Sequence, residues 1–169
     1  FGQRLRSTSE ILDFLETKVN KTWQLNQKKG IRRMDGLDIA ICCFDKKNST
    51  LEFSGAQSPL YLIRKNRIYK YKADRRSIGL ITEKKKPLFT SQFIQIEKSD
   101  LVYLSSDGYK DQFGKEAARK YGEKRFSELI KNITKGSIKQ QKIDLEIEFI
   151  RWKGSERQVD DVCVVGIQF

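Results

Sequence analysis

No apolar run in this chain is longer than six residues, Ile39, Ala40, Ile41, Cys42, Cys43 and Phe44. A membrane-crossing helix needs about 20, so the chain carries no membrane segment. Its core must be assembled from short pieces. The pattern between residues 37 and 104 supplies them as apolar stretches broken by turn residues, which predicts strands at 37–44, 51–53, 60–64, 67–71, 92–96 and 101–104. Residues 45–50 read as a turn, and Lys65-Asn66 reads as a two-residue hairpin turn. A last strand is expected within 159–169.

Helical spacing flanks this β-rich centre. Ser7-Thr8-Ser9-Glu10 is a capping box ahead of Ile11, Leu12, Leu15 and Val19, which predicts a helix over 8–23 and a polar loop over 24–33. Phe126, Leu129, Ile130 and Ile133 share one face of a helix over 123–134, which Gly136 is placed to end. Ile143, Ile147 and Ile150 give a second over 138–152, with Gly154 at its end. Consecutive strands with short turns, and helices grouped at the start and before the last strand, argue for an α+β fold with antiparallel sheet. The 169 residues show no repeat and no linker, so residues 1–169 are expected to form one domain.

The absence of histidine removes whole classes of chemistry. A Ser-His-Asp triad, a Cys-His pair and a histidine-bound zinc are all impossible. Cys42, Cys43 and Cys163 form no CxxC and no disulfide pattern, and they read as reduced core residues of a cytoplasmic protein. The net charge of +12 is uneven, with ten basic residues between positions 64 and 86 against only Asp74 and Glu83. A basic nucleic-acid-binding domain is one reading of such a surface. No helix-turn-helix, zinc knuckle or RNP motif accompanies it, so nucleic acid is not the expected partner.

Two carboxylate motifs remain. Leu101-Val-Tyr-Leu-Ser-Ser-Asp107-Gly108 puts Asp107 at the exit of a buried strand, where Gly108 permits a tight turn and close backbone approach. Val159-Asp160-Asp161-Val162 puts two carboxylates at the entrance of another. If the two strands are antiparallel neighbours, Asp107 and Asp160 converge. Converging carboxylates repel unless protonated or neutralised by a cation. An all-oxygen cluster suits Mg²⁺ or Mn²⁺.

Taken in order, these motifs resemble a known family. Met34-Asp-Gly-Leu-Asp-Ile-Ala-Ile41, Leu51-Glu-Phe-Ser-Gly-Ala-Gln-Ser-Pro-Leu-Tyr-Leu62, Ser77-Ile-Gly-Leu80, the Asp100 to Gly108 stretch, Asp111-Gln-Phe-Gly114 and Asp160-Asp161 look like the SpoIIE-type serine phosphatases, within the metal-dependent (PPM, type 2C-like) protein phosphatases. The resemblance implies an antiparallel β-sandwich flanked by helices, the α-β-β-α type, with two Mg²⁺ or Mn²⁺ ions in the complete domain. It implies metal-dependent hydrolysis of phosphoserine or phosphothreonine as the output of a bacterial regulatory system. The implied substrate is a phosphoprotein, of which a small anti-sigma-factor antagonist is one kind. By the same resemblance Asp107 and Asp160 are metal-binding aspartates, Gly108 is the turn glycine of the first motif, and Asp161 is the neighbour of Asp160. Asp38 is expected to be structural.

The chain departs from the family pattern in places. It has Ser106 before Asp107 where the family commonly has threonine, Cys163 in place of a threonine, and Gln57-Ser58-Pro59 in place of His-x-Pro. It shows no upstream strand pair carrying the aspartate that bridges both metals. The expectation is a C-terminal portion of a longer phosphatase, nearly inactive on its own and prone to oligomerise through exposed apolar edges. A non-catalytic docking module with the same fold is the alternative that this absence keeps open.

Overall fold

The computed structural model describes residues 6–28, 36–79, 87–114 and 119–169, with side chains left out at 24–28. The chain forms two compact units, one from Phe1–Leu60 with Tyr71–Ile96, the other from Tyr61–Lys70 with Glu97–Phe169. Each contains an antiparallel sheet and helix.

In the first unit, helix α1 spans Thr8–Lys28. The Ser7 hydroxyl accepts from the Glu10 N–H at 3.2 Å, and the Glu10 carboxylate accepts from the Arg6 N–H at 2.7 Å, so the capping box closes one residue earlier than its usual form. The helix runs five residues past its expected end. Gln24 to Lys28 contains no helix breaker, and polarity alone does not stop a helix before Gly30. Residues 29–33 of the expected loop, and Met34 and Asp35, lie outside the described residues. So do residues 80–86 of the basic stretch.

Leu12, Leu15 and Val19 pack with Ala56, Ile78, Phe89, Ile39 and Ile41. Beside them the Glu16 carboxylate, fully buried, meets Arg76 at 2.7 Å. Strands β1 (Ile39–Asp45), β2 (Thr50–Ala56) and β5 (Gln92–Gln95) lie in the order β1-β2-β5, with Phe44 opposite Leu51 and Ile39 opposite Ala56. Asp45 ties the first turn by accepting from the N–H groups of Lys47 and Asn48. Asp38 accepts a hydrogen bond from Ser77.

The cysteines are not core residues. Strand β1 sits at an edge, so Cys43 is exposed and Cys42 only partly covered, and Cys163 is exposed as well. Burial pushes the Cys42 thiol up to about 11, which keeps it protonated at neutral pH.

In the second unit the sheet order is β4-β3-β6-β7. Strands β3 (Leu60–Arg64) and β4 (Arg67–Tyr71) are joined through Lys65 at φ 50° and Asn66 at φ 60°. Two successive left-handed residues match the twist of a hairpin. Strand β6 is Leu101–Ser105 and β7 is Val164–Gln168, so only the last part of the expected final strand joins the ladder. Between them come α2 (Gly108–Asp111), α3 (Gly122–Asn132), a 3-10 turn at Ile133–Lys135, and α4 (Ile138–Lys153). The core gathers Tyr61, Tyr103, Tyr109, Tyr121, Phe126, Ile130 and Leu145.

Helix α4 presents a different face from the one its isoleucines suggest. Ile143, Ile147 and Ile150 are 46%, 59% and 65% exposed. Ile138, Leu145, Phe149 and Trp152 pack inward instead, together with buried Gln141. That set has helical spacing too, and it carries the aromatic volume. Gln141 is tolerated because it accepts from the Tyr103 hydroxyl and donates to the Gly136 carbonyl at 2.8 Å.

The basic hairpin is largely neutralised within this unit. Arg64 and Lys65 pair with Glu97, and Lys70 pairs with Glu123. Arg64 also holds Asp100, whose side chain is 1% exposed, through bonds of 2.9 and 2.6 Å. The Glu97 N–H adds a third at 2.8 Å. Burial pushes the Asp100 carboxyl up, but the Arg64 and Glu97 hydrogen bonds and the charges of Arg64 and Lys65 outweigh it and hold it below the usual range.

Arg64→Met should therefore cost about 3 kcal/mol in urea denaturation, the lower end for breaking a buried pair, because the Glu97 bond survives. The depressed carboxyl contributes stability above its unfolded pKa of about 3.9, and that contribution is lost as pH falls through the folded value. Asp100→Asn should flatten the loss of stability as pH falls below the unfolded value of about 3.9. A variant that loses stability in acid as steeply as the parent chain would contradict this.

Candidate functional site

Strands β6 and β7 are antiparallel neighbours, with Ser105 opposite Val164. The exit of one thus lies beside the entrance of the other, as the convergence of Asp107 and Asp160 requires. Ser106 fastens the junction. Its N–H donates to the Cys163 carbonyl, and its hydroxyl donates to the Asp161 carbonyl and accepts from the Cys163 N–H, each at 2.9 Å.

Past that junction the two chains touch. Gly108 is buried, and a Cβ there would lie 2.3 Å from the Asp161 carbonyl oxygen and 3.3 Å from that of Asp160. No side chain fits at that separation. Here glycine is required for close approach, as its backbone is not in the left-handed region.

Asp107 precedes α2 and makes no side-chain bond to the helix, while its carbonyl accepts from the Asp111 N–H at 2.9 Å. Asp160 Oδ1 accepts from the Asp161 N–H at 2.7 Å, and the Asp160 carbonyl accepts from Gln158 Nε2 at 2.8 Å. Asp107, Asp160 and Asp161 are all exposed. Among the described residues none of the three carboxylates has a cation within ion-pair distance. Asp161 meets the β6 end through its backbone carbonyl.

These residues offer carboxylate and carbonyl oxygens only, which is the chemistry of a site for a hard divalent cation. Among the described residues no three Asp, Glu, Cys or His side chains gather into a cage. The donor set therefore fits part of such a site.

One turn beyond Asp107, Lys110 lies 5.8 Å from the centre of the Phe126 ring. Burial pulls its pKa below the usual lysine value, against the opposing pull of Glu123, Asp107 and Asp111. Glu123 is itself shared by Lys70 and the Tyr61 hydroxyl. A groove of about 470 Å³ between α4 and β7 is lined by Tyr103, Ile138, Leu145, Phe149 and Val164, and does not include Asp107 or Asp160.

Sequence reasoning missed Ser106 and Gln112 as parts of this junction. Ser106 stands in a motif already singled out, and its strand-exit position was the available signal. Gln112 stands inside the quoted Asp111-Gln-Phe-Gly114 stretch, but nothing in the sequence marks its burial, since a polar residue after a turn reads as solvated, yet it is fully buried.

Residues 3–169 match the family model described as Stage II sporulation protein E (SpoIIE). No curated protein matches the chain significantly. Among solved structures, the SiaA-PP2C domain of Pseudomonas aeruginosa aligns at a TM-score of 0.85 and 21% identity, over 97% of this chain and 61% of that one. The PP2C phosphatase domain, with a fragment of the regulatory domain, of the cell fate determinant SpoIIE from Bacillus subtilis aligns at 0.59 and 19%, over 94% and 48%. PppA, a regulatory component of T6SS in Pseudomonas aeruginosa, aligns at 0.64 and 14%, over 95% and 69%. The chain spans less than two thirds of the first two, and the likeness shows the shared fold.

Gly108→Ala should push the 160–161 backbone away from α2. Overpacking of this kind costs about 1–3 kcal/mol. Denaturation should show that loss, and amide chemical shifts should move at Asp160 and Asp161. Unchanged stability and shifts would contradict the close approach.

Proposed function

Because this chain belongs to the SpoIIE family, within the PP2C-like phosphatase fold, we propose that it is part of a metal-dependent phosphoprotein phosphatase domain working in a bacterial regulatory system. The single observation that carries the reading is the junction of β6 and β7. There Ser106 bonds the strand ends together and Gly108 leaves no room for a Cβ beside the Asp161 carbonyl, which holds the Asp107 turn against the Asp160-Asp161 backbone.

Asp107 and Asp160 would hold the cation with their carboxylates, and the complete domain would hold two. The oxygen donor set supports Mg²⁺ or Mn²⁺, and one related Bacillus subtilis SpoIIE phosphatase structure was presoaked with Mn. When bound, such an ion supplies the Lewis acidity that activates water for attack on phosphorus. The protein's part is to fix the two carboxylates. Ser106 ties the strand ends, Gly108 allows the backbones to touch, and the sheet register sets which residues face each other. Asp161 contributes its backbone to the junction. Lys110, one turn beyond Asp107, adds positive charge there that favours a phosphorylated partner.

The substrate class is a protein carrying phosphoserine or phosphothreonine, and an anti-sigma-factor antagonist is the kind the family suggests. SpoIIE, a cell fate determinant with a regulatory domain, and PppA, a regulatory component of T6SS, support that setting.

In the full-length protein, Asp107→Asn or Asp160→Asn should reduce Mn²⁺-dependent hydrolysis of an aryl phosphate by at least about 100-fold while circular dichroism stays unchanged. Each change keeps side-chain size and removes a charged ligand, so the loss falls on the ion that makes water nucleophilic near pH 7. Activity within threefold of the parent in either variant would refute the assignment.

A further inference from the structure

Gln112 stands at the end of α2, five residues after Asp107, and none of it is exposed. Its side-chain nitrogen donates to two carbonyls, that of Phe113 and that of Arg157, each at 3.0 Å. Both partners are acceptors, which fixes the orientation of the amide. Its own carbonyl accepts from the Trp152 indole N–H at 3.0 Å and from the Tyr121 N–H at 2.9 Å. One residue thus joins the turn after Asp107, the start of α3, the end of α4 and the loop that leads into Asp160.

The surroundings hold this residue firmly. The Trp152 ring stands edge-on to Tyr121 with centroids 5.2 Å apart, and the Arg125 guanidinium lies 4.8 Å over it. A Cβ on Gly114 would lie 2.6 Å from the same indole, so the backbone after Gln112 packs directly on Trp152. In this enclosure the amide Oε1 meets no donor among the described residues. A buried polar atom in that state costs about 1–3 kcal/mol. The amide's distinctive contribution is the N–H that reaches Arg157, three residues before Asp160.

We infer that Gln112 is a positioning residue that holds the Asp160 end of the candidate cation site in register with the Asp107 end, an inference that rests on the phosphatase reading of that site. Ser106 and Gly108 fix the loop after Asp160. Gln112 fixes it before, so Asp160 is pinned from both sides. Partners that orient metal ligands from behind typically govern affinity by 10- to 100-fold.

The test is Mn²⁺ binding to the full-length protein, read by electron paramagnetic resonance of the free ion, alongside the Mn²⁺ dependence of hydrolysis. Gln112→Met keeps length and volume and removes the donor. It should raise the Mn²⁺ dissociation constant about tenfold or more, with kcat recovering at saturating Mn²⁺. Trp152→Phe keeps an aromatic ring but removes the N–H that anchors the Gln112 backbone carbonyl, along with part of the indole's packing, and it should shift affinity in the same direction by about threefold. It carries the test alone if Gln112→Met does not fold. Arg64→Met, which loses stability far from the junction, should leave the Mn²⁺ dissociation constant unmoved.

Parent-like Mn²⁺ affinity in Gln112→Met (or in Trp152→Phe, should that variant stand alone), with affinity lost in Asp160→Asn, would overturn the role of Gln112 and leave the site intact. Parent-like affinity in both Asp107→Asn and Asp160→Asn would overturn the site itself. An equal shift in Arg64→Met would assign the effect to stability and overturn the positioning role.

Discussion

The backbone contact between Gly108 and the Asp160-Asp161 pair is the constraint around which the second unit is arranged. Peptide groups come this close only where no Cβ intervenes and where the flanking chain is held on both sides. The β6–β7 ladder provides one hold, through the register that sets Ser105 against Val164. The Ser106 hydroxyl provides the next by acting as donor and acceptor to the incoming strand. The third is the Gln112 amide on the Arg157 carbonyl. Exposed carboxylates repel when brought together, so a cation site here needs the backbone packing that sets the Asp107 turn against the Asp160-Asp161 segment. The tyrosine-rich core beneath supplies the rigidity, with Tyr109 of α2 packed against Tyr121, Phe126 and Phe149 and its hydroxyl donating to the Leu145 carbonyl.

The strand pattern was legible because short half-buried strands announce themselves by alternation and by the turns between them. Lys65-Asn66 needed left-handed backbone at both positions and has it. The adjacency of the Asp107 and Asp160 motifs followed from one topological premise, that their strands pair antiparallel, and β6 and β7 do. The SpoIIE family was likewise readable from the ordered motifs, each of which is weak alone.

What stayed hidden depended on tertiary context. On α4 two sets of residues share helical spacing, and sequence periodicity does not choose between Ile143, Ile147 and Ile150 and the buried set of Leu145, Phe149 and Trp152. The cysteines looked like core residues because small apolar side chains usually are. Cys42 and Cys43 lie on edge strand β1 and Cys163 just before edge strand β7, so they are not. Three of the ten basic residues of the 64–86 stretch, Arg64, Lys65 and Lys70, pair with Glu97, Asp100 and Glu123, acids more than 30 positions away in sequence. Gln112 shows the same limit from the other side, since nothing local marks a buried amide whose partner is 45 residues on.

The most direct measurement is paramagnetic broadening of backbone amide resonances when substoichiometric Mn²⁺ is added to the complete phosphatase domain. A cation held by Asp107 and Asp160 should erase the signals of Gly108, Asp160 and Asp161 first, while those of α1 and β1 persist. Broadening that begins elsewhere in the chain, or that spreads evenly over its exposed acidic residues, would contradict a cation site at the β6–β7 junction.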